Sequence, residues 1–277
     1  PKVQKKITDI HINKKNKIFV TYLPESDEKE ILSAVEFVDT KGFTPIVHLP
    51  ARTMRDIDHV EDFLIKIRKL TKSSDILVIG GGGNQVGSVQ SSMDILESGL
   101  LEKYNFNKVK VAGHPEGSPD INNETLKKFL LDKEQIHNAS VLDLEIVTQF
   151  FFEAEPLIKW DALLDTIGVT LPVRVGFPGP ATFKTLLNFG LMSGVGNSLN
   201  FLKKNSNKIG DLLVKTSNDK LLMELITASK SSKIGRPNGF HCYPFGGFEK
   251  TCYWLTAIQN GDFIVENEKL VFHKKIF

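Results

Sequence analysis

The feature that most constrains the fold of this sequence is an alternation. Seven short β-rich runs recur along the chain, each separated from the next by enough residues for a helix. They are KIFVTYL (17–23), FTPIVHL (43–49), DILVIG (75–80), KVKVAG (108–113), LEIVTQFFF (144–152), PVRVGF (172–177) and NGFHCYPF (238–245). Most are bounded by Gly, Pro, Asn or Asp. Several are apolar nearly throughout, with Val and Ile prominent, as parallel strands covered on both faces require. Between them lie amphipathic segments. Asp27 with Glu30 predicts a capping box ahead of the stripe Ile31, Leu32, Val35 and Val38, and Gly42 a left-handed stop. Similar stripes span 56–70, 90–101, 124–132 and 182–191, and 196–230 reads as two or three helices without a strand.

Seven strand–helix repeats are one short of a (β/α)8 barrel. The expected fold is therefore α/β, a TIM barrel forming a single domain over 1–277, with its first strand upstream of Pro1. A doubly wound open sheet would carry a Gly-rich phosphate loop after its first strand, and none stands there. Apolar residues make up 41% of the chain, enough for a substantial core. No run approaches eighteen apolar residues, so no membrane helix is expected. A net charge of +2 gives no reason to expect a nucleic-acid partner. The two cysteines, Cys242 and Cys252, do not combine with His241 in a zinc spacing, so no metal is expected. With no signal peptide, they suit a reducing cytoplasm.

In a barrel of this kind the site lies at the C-terminal strand ends. Those ends carry Thr21–Pro24, His48–Pro50, the glycine run Gly80–Gly83, His114–Gly117, Gln149, Gly176–Pro180 and Tyr243–Gly247. Gly, His and amide groups dominate, and paired carboxylates are scarce. The glycine run lets backbone approach a flat or phosphorylated ligand, or serves as a plain turn. His48 and His114 could each donate to a ligand, or be satisfied by neighbouring backbone. Gln149 offers a bidentate amide beside an aromatic wall, unless Phe150–Phe152 are simply core. No nucleophile elbow is present.

Two segments are more specific. VAGHPEGSPD (111–120) followed by VTQFFFE (147–153) resembles the methylenetetrahydrofolate reductase family. VTY (20–22), PIVHLP (45–50), FPGPATFK (177–184) and FHCY (240–243) fall in register with it, so the resemblance covers most of 17–250. It implies a TIM barrel holding FAD. The implied reaction interconverts 5,10-methylenetetrahydrofolate and 5-methyltetrahydrofolate, with hydride passing between NADH or NADPH and folate through the flavin. By position it places Thr21, His48, Gly80, Gly81, Gly82, Ser91, Ser92, His114 and Ser118 at the flavin, and Gln149 and Phe151 at the tetrahydrofolate substrate. It also implies a homo-oligomer. The family's catalytic Glu stands in the first strand, which this sequence begins too late to show. Within the shown residues Gly82 stands where the family has an Asp, His114 at its flavin-contacting aromatic, Ser118 where it has a His, and Gly247 where it has an Arg. A flavin-phosphate lysine falls near 133–138, with Lys133 the nearest match. These departures leave a second reading, a flavin-free folate-binding member acting in one-carbon or demethylation metabolism or as a binding subunit.

Overall fold

A computed structural model of the protein describes residues 12–193, 215–216, 219–231, 234–235, 237–266 and 269–273. Each of the seven predicted runs overlaps a strand: β1 (Lys17–Val20), β2 (Thr44–Pro50), β3 (Asp75–Ile79), β4 (Lys108–Gly113), β5 (Asp143–Thr148), β6 (Val173–Pro178) and β9 (Pro237–Tyr243). They form a parallel seven-stranded sheet in the order β1-β2-β3-β4-β5-β6-β9, so each strand lies beside its predecessor. Two strands outside this sheet, β7 (Ala181–Thr182) and β8 (Lys215–Thr216), pair with each other. The helices between are α1 (Glu28–Thr40), α2 (Ile57–Leu70), α3 (Ser92–Leu96), α4 (Leu100–Lys103), α5 (Asn123–Ala139), α6 (Glu155–Ile167), α7 (Phe183–Ser193) and α8 (Asp219–Lys230). Helix α9 (Phe248–Asn260) and the hairpin β10 (Phe263–Glu266)/β11 (Lys269–Phe272) follow the sheet. Among the described residues no helix is long and apolar enough to cross a membrane.

The chain divides into two compact units. The first holds Asn13–Ala112 and Phe129–Ile146. Its core is built from β2, β3 and β4 with the apolar stripes of α1 and α2, where Val35, Leu49, Phe63, Leu64, Ile67, Ile76 and Val109 have no accessible surface. Asp27 caps α1 through the Lys29 N–H, and Gly42 supplies the left-handed stop at φ 77°. The Glu30 half of the expected capping box is not made. A complete box occurs instead at Ser91 and Asp94, opening α3. The helix expected over 90–101 is two short ones, broken where Gly99 takes φ 73°.

Charge is also built into this unit. Lys17 reaches Asp75 at 2.6 Å, and Lys110 lies 3.5 Å from Asp75 and 3.0 Å from Glu145. Asp75, Lys110 and Glu145 are all buried. Burying one such ion alone costs several kcal/mol or more, so the alternation of sign along the chain of contacts is what makes the arrangement tolerable. Breaking it would leave a charge stranded rather than merely remove an attraction.

The second unit holds Gly113–Lys128 and the described residues from Val147 onward. Here β6 and β9 run parallel with a register shift between Val173 and Val175. Leu157, Leu164, Leu171 and Trp254 are fully buried around them. Two buried carboxylates take backbone donors: Asp161 accepts from Gly235 N–H at 2.8 Å, and Asp219 from Leu270 N–H at 3.1 Å. The β10/β11 hairpin was not anticipated, because its two four-residue strands are too short to show a period. Of the stretch 196–230, expected as helices without a strand, the described residues are α8 and the two-residue strand β8, which is too short to show a period and corrects that expectation; 194–214 and 217–218 lie outside the described residues.

Candidate functional site

The second unit carries the better-defined site. It is organised by Thr148, the last residue of β5 and fully buried. Its Oγ1 accepts the Gly176 N–H at 2.8 Å, and its carbonyl accepts the Tyr243 hydroxyl at 3.1 Å. These bonds tie the C-terminal ends of β5, β6 and β9 together. Gly176 is required by that closeness: a Cβ there would stand 2.3 Å from the Thr148 carbonyl oxygen. Burial holds the Tyr243 hydroxyl far above its ordinary pKa, so it stays a neutral donor.

Past Thr148 the predicted strand 144–152 stops early. Gln149 N–H still bonds to the Gly113 carbonyl at 2.9 Å, but its side-chain Oε1 takes the Phe150 N–H at 3.1 Å. The side chain thus replaces the next rung of the ladder and turns the chain. The Gln149 Nε2 donors have no partner among the described residues, and the residue is partly exposed. Phe150 then enters an aromatic cluster with Phe152, Tyr243, Phe245 and Phe189. Phe245 is its centre. It stacks on Phe189 at 4.3 Å and 20°, lies at 18° to Tyr243, and meets Phe150 edge-on at 4.7 Å.

Beside Phe245 lies a pocket of about 140 Å³ bounded by the Pro180–Thr182 turn, Thr185, the Phe245–Gly246 turn and Lys250. Its walls approach closely because Gly246 has no side chain: a Cβ there would fall 1.8 Å from the Pro180 carbonyl oxygen. Thr182 and Thr185 share a hydroxyl hydrogen bond of 2.8 Å at the start of α7. Lys250, in the first turn of α9, is exposed and has no partner among the described residues. A further carboxyl in this unit, Glu153, is held above its usual range by burial and by Glu224, Glu155 and Glu116.

The first unit presents a different set of strand ends. Thr21 is exposed just past β1, and His48 stands in β2 with its ring edge-on to Phe19 at 6.1 Å. His48 Nε2 is buried without a hydrogen-bond partner, although the residue keeps some exposed surface. Burial pushes its pKa down to about 4, so the ring is neutral at physiological pH. The glycine run turns over Pro50 and Pro24. Gly81 (φ 86°) and Gly83 (φ 78°) need their left-handed backbone, whereas Gly80 and Gly82 face open space. Ser91 spends its hydroxyl on the Met93 N–H as the α3 cap, and Ser92 is the first residue of that helix. Lys133 is buried in α5, its Nζ 3.4 Å from the Ala112 carbonyl.

Of the residues singled out from the sequence, Thr21, His48, Gly80, Gly81, Gly82, Ser91 and Ser92 thus belong to the first unit. His114, Ser118, Gln149 and Phe151 belong to the second. His114 follows β4, its carbonyl accepting the Gly117 N–H at 3.0 Å, and Ser118 Oγ accepts the Asp120 N–H at 3.3 Å. The Phe151 ring is completely buried, next to a Gln149 that is not. Sequence reading passed over Lys250, Thr182 and Thr185. Their signal was the pair of Gly–Pro-rich turns ending β6 and β9, two neighbouring strands.

No protein-family model matches the chain. Among solved structures, an uncharacterized protein from Clostridium thermocellum that binds two copies of 5-methyl-5,6,7,8-tetrahydrofolic acid has a similar fold. The match has a TM-score of 0.50 at 12% sequence identity and covers 87% of this chain and 80% of that one. At that identity the likeness is one of fold: an α/β chain with its parallel strands in sequential order.

Proposed function

We propose that this protein binds a reduced folate at the C-terminal strand ends of its second unit, with Gln149 holding the pterin edge. The observation that carries this reading is the Gln149 amide. It is anchored through Oε1 at the end of a buried strand, leaves its Nε2 donors unspent, and sits next to an aromatic cluster. Pterins present paired ring nitrogens and a carbonyl along one edge, the pattern an amide meets bidentately. The folate ligands of the Clostridium thermocellum protein support the same ligand class.

The fuller form of the reading is an oxidoreductase of the methylenetetrahydrofolate reductase type on a closed (β/α)8 barrel. The residues of the first unit fit a flat heteroaromatic ring. His48 keeps a buried Nε2 without a partner, and Gly80 and Gly82 have nothing within 4 Å of a Cβ position. In this reading Thr21, His48 and Gly80–Gly82 of the first unit hold FAD. The flavin, when bound, supplies hydride transfer between NADH or NADPH and the folate. The chain's own part is to orient the pterin through Gln149 and to offer a neutral imidazole at His48, which can donate or accept one hydrogen bond.

Spectra of the purified protein test both levels. Flavin bands near ~450 nm that bleach with NADH and return with 5,10-methylenetetrahydrofolate support the redox form, since the cofactor carries the hydride. A colourless protein that takes up no FAD but binds 5-methyltetrahydrofolate in calorimetry leaves the flavin-free folate protein. Gln149→Ala should weaken folate binding by about 1–3 kcal/mol, the worth of lost polar contacts to a ligand. Unchanged folate affinity in that variant sinks the assignment of Gln149.

A further inference from the structure

We propose that Cys242 and Cys252 form a thiol–disulfide switch that ties α9 to the last strand of the main sheet, closed by a low-molecular-weight disulfide. The switch is independent of the folate reading. The chain has two cysteines in all, and both belong to the second unit. Cys242 is the penultimate residue of β9, and Cys252 stands in the second turn of α9.

Register places both in one interface. Cys242 is the Cα partner of Phe177 on β6, so the two side chains leave the same face of the sheet. Helix α9 covers that face, its Trp254 ring meeting the Phe177 ring at 5.8 Å. Thr251, one turn back, stands so close to Gly179 that a Cβ there would lie 2.9 Å from its Oγ1. Thr251, Cys252 and Trp254 are the buried residues of α9. Cys252 therefore faces the sheet between two residues that touch β6 and its end, and β9 is the next strand. The thiols also sense each other. Burial pushes Cys252 up to about 12, and burial together with the neighbouring Cys252 holds Cys242 above its ordinary range.

In the closed fold the pair is inert, because buried, un-ionised thiols are poor nucleophiles. Reaction needs the start of α9 to lift, and its sequence favours that. The N-cap is Gly247, at φ 110° and with no side chain to accept from the first-turn N–H groups. Cys242 is partly exposed, so it reacts first. Its sulfur gives up its proton to solvent, attacks the reagent disulfide and expels one thiolate, leaving a mixed disulfide. Cys252 then loses its proton, attacks the Cys242 sulfur and expels the second thiolate. Two protein thiols become one disulfide, and two electrons reduce the reagent to two thiols. The bond spans the turn that carries Phe245 of the aromatic cluster and Tyr243, whose hydroxyl holds the Thr148 carbonyl beside Gln149. The redox state of the pair sets how freely that wall of the candidate site opens.

The test treats the full chain with oxidised glutathione in native buffer and maps its peptides without reduction. The expected result is a linked pair of peptides holding Cys242 and Cys252, a mass loss of about 2 Da for two hydrogens, and reversal by dithiothreitol. Amide exchange over 243–252 should then slow about tenfold or more, because the opening of α9 is blocked. Cys252→Ser should stop at the first step and keep glutathione on Cys242. No reaction in native buffer, glutathione retained on wild-type Cys242, or a disulfide between two chains overturns the switch. So does oxidation confined to denaturant concentrations that unfold the protein, or a disulfide that leaves exchange over 243–252 unchanged. None of these readouts uses a folate, so the folate reading stands or falls separately.

Discussion

The strand ends of the two units are both rich in glycine, yet the glycines do different things. In the first unit Gly81 and Gly83 take left-handed backbone angles, a Cβ at Gly81 also meeting the Pro50 side chain at 2.9 Å, and Gly80 and Gly82 beside them border open space. In the second, Gly176 and Gly246 have ordinary backbone angles, and each is there because another chain segment occupies the place of its Cβ. The first arrangement makes a turn. The second brings neighbouring strand ends close enough to share an aromatic wall and a pocket. A glycine-rich strand end is therefore informative about a site only when its neighbours are known, because the same residue serves conformational freedom in one place and close approach in another.

The sharpest way to break this comparison is a pair of alanine substitutions. Gly246→Ala forces a methyl into the Pro180 carbonyl and should cost about 3 kcal/mol or more, with loss of ligand binding. Gly82→Ala meets nothing and should stay within about 0.5 kcal/mol of wild type. Thermal unfolding of both variants decides it; equal shifts would show that the two glycine sets do not differ as described.

His48 gives the next largest effect. Its pKa is about 4 in the folded chain against the ordinary 6.5, so the unfolded state binds a proton more readily between those values. Stability from this group is fully present above pH 6.5 and is lost as pH falls toward 4, by roughly 2–3 kcal/mol. Denaturant titrations of wild type and His48→Phe over that window should diverge by this slope. Parallel curves would place His48 in a wetter environment than the structure gives it.

Lys133 is the milder case. Burial lowers its pKa from 10.5 to about 8, so stability from the neutral amine is present above 10.5 and lost as pH falls to 8. At neutral pH the fold carries a buried ammonium with one long contact to the Ala112 carbonyl. Lys133→Met should stabilise the protein by about 1–2 kcal/mol at pH 7 and flatten the dependence between pH 8 and 10. Destabilisation instead would mean that the ammonium makes contacts worth more than its desolvation.

Much of the fold was legible because its signals are local. Apolar runs of Val and Ile bounded by Gly and Pro located all seven strands of the main sheet, and the stripes of α1 and α2 followed from helical spacing. The errors also have local causes. Gln149 takes over a backbone donor and ends β5 early, and Gly99 splits one expected helix into two. The candidate site was legible only in part. Gln149 and His48 stood out as polar residues at strand ends, whereas Lys250 looked like any surface lysine. Phe151 and Gln149 looked like neighbours on one wall, and the structure buries the first completely while leaving the second partly exposed.

What the sequence determined by itself was the alternation of strand and helix and therefore the α/β class with parallel strands in order. Periodicity and turn chemistry act over a few residues, and they suffice for that. What only the tertiary structure decided was which strand ends meet. The Thr148 bonds to Gly176 and Tyr243, the stacking of Phe245 on Phe189, and the pocket shared by Thr182 and Lys250 join residues 28 to 95 positions apart in the case of Thr148. Contacts at such separations depend on how strands pair and where turns point, which no local pattern encodes.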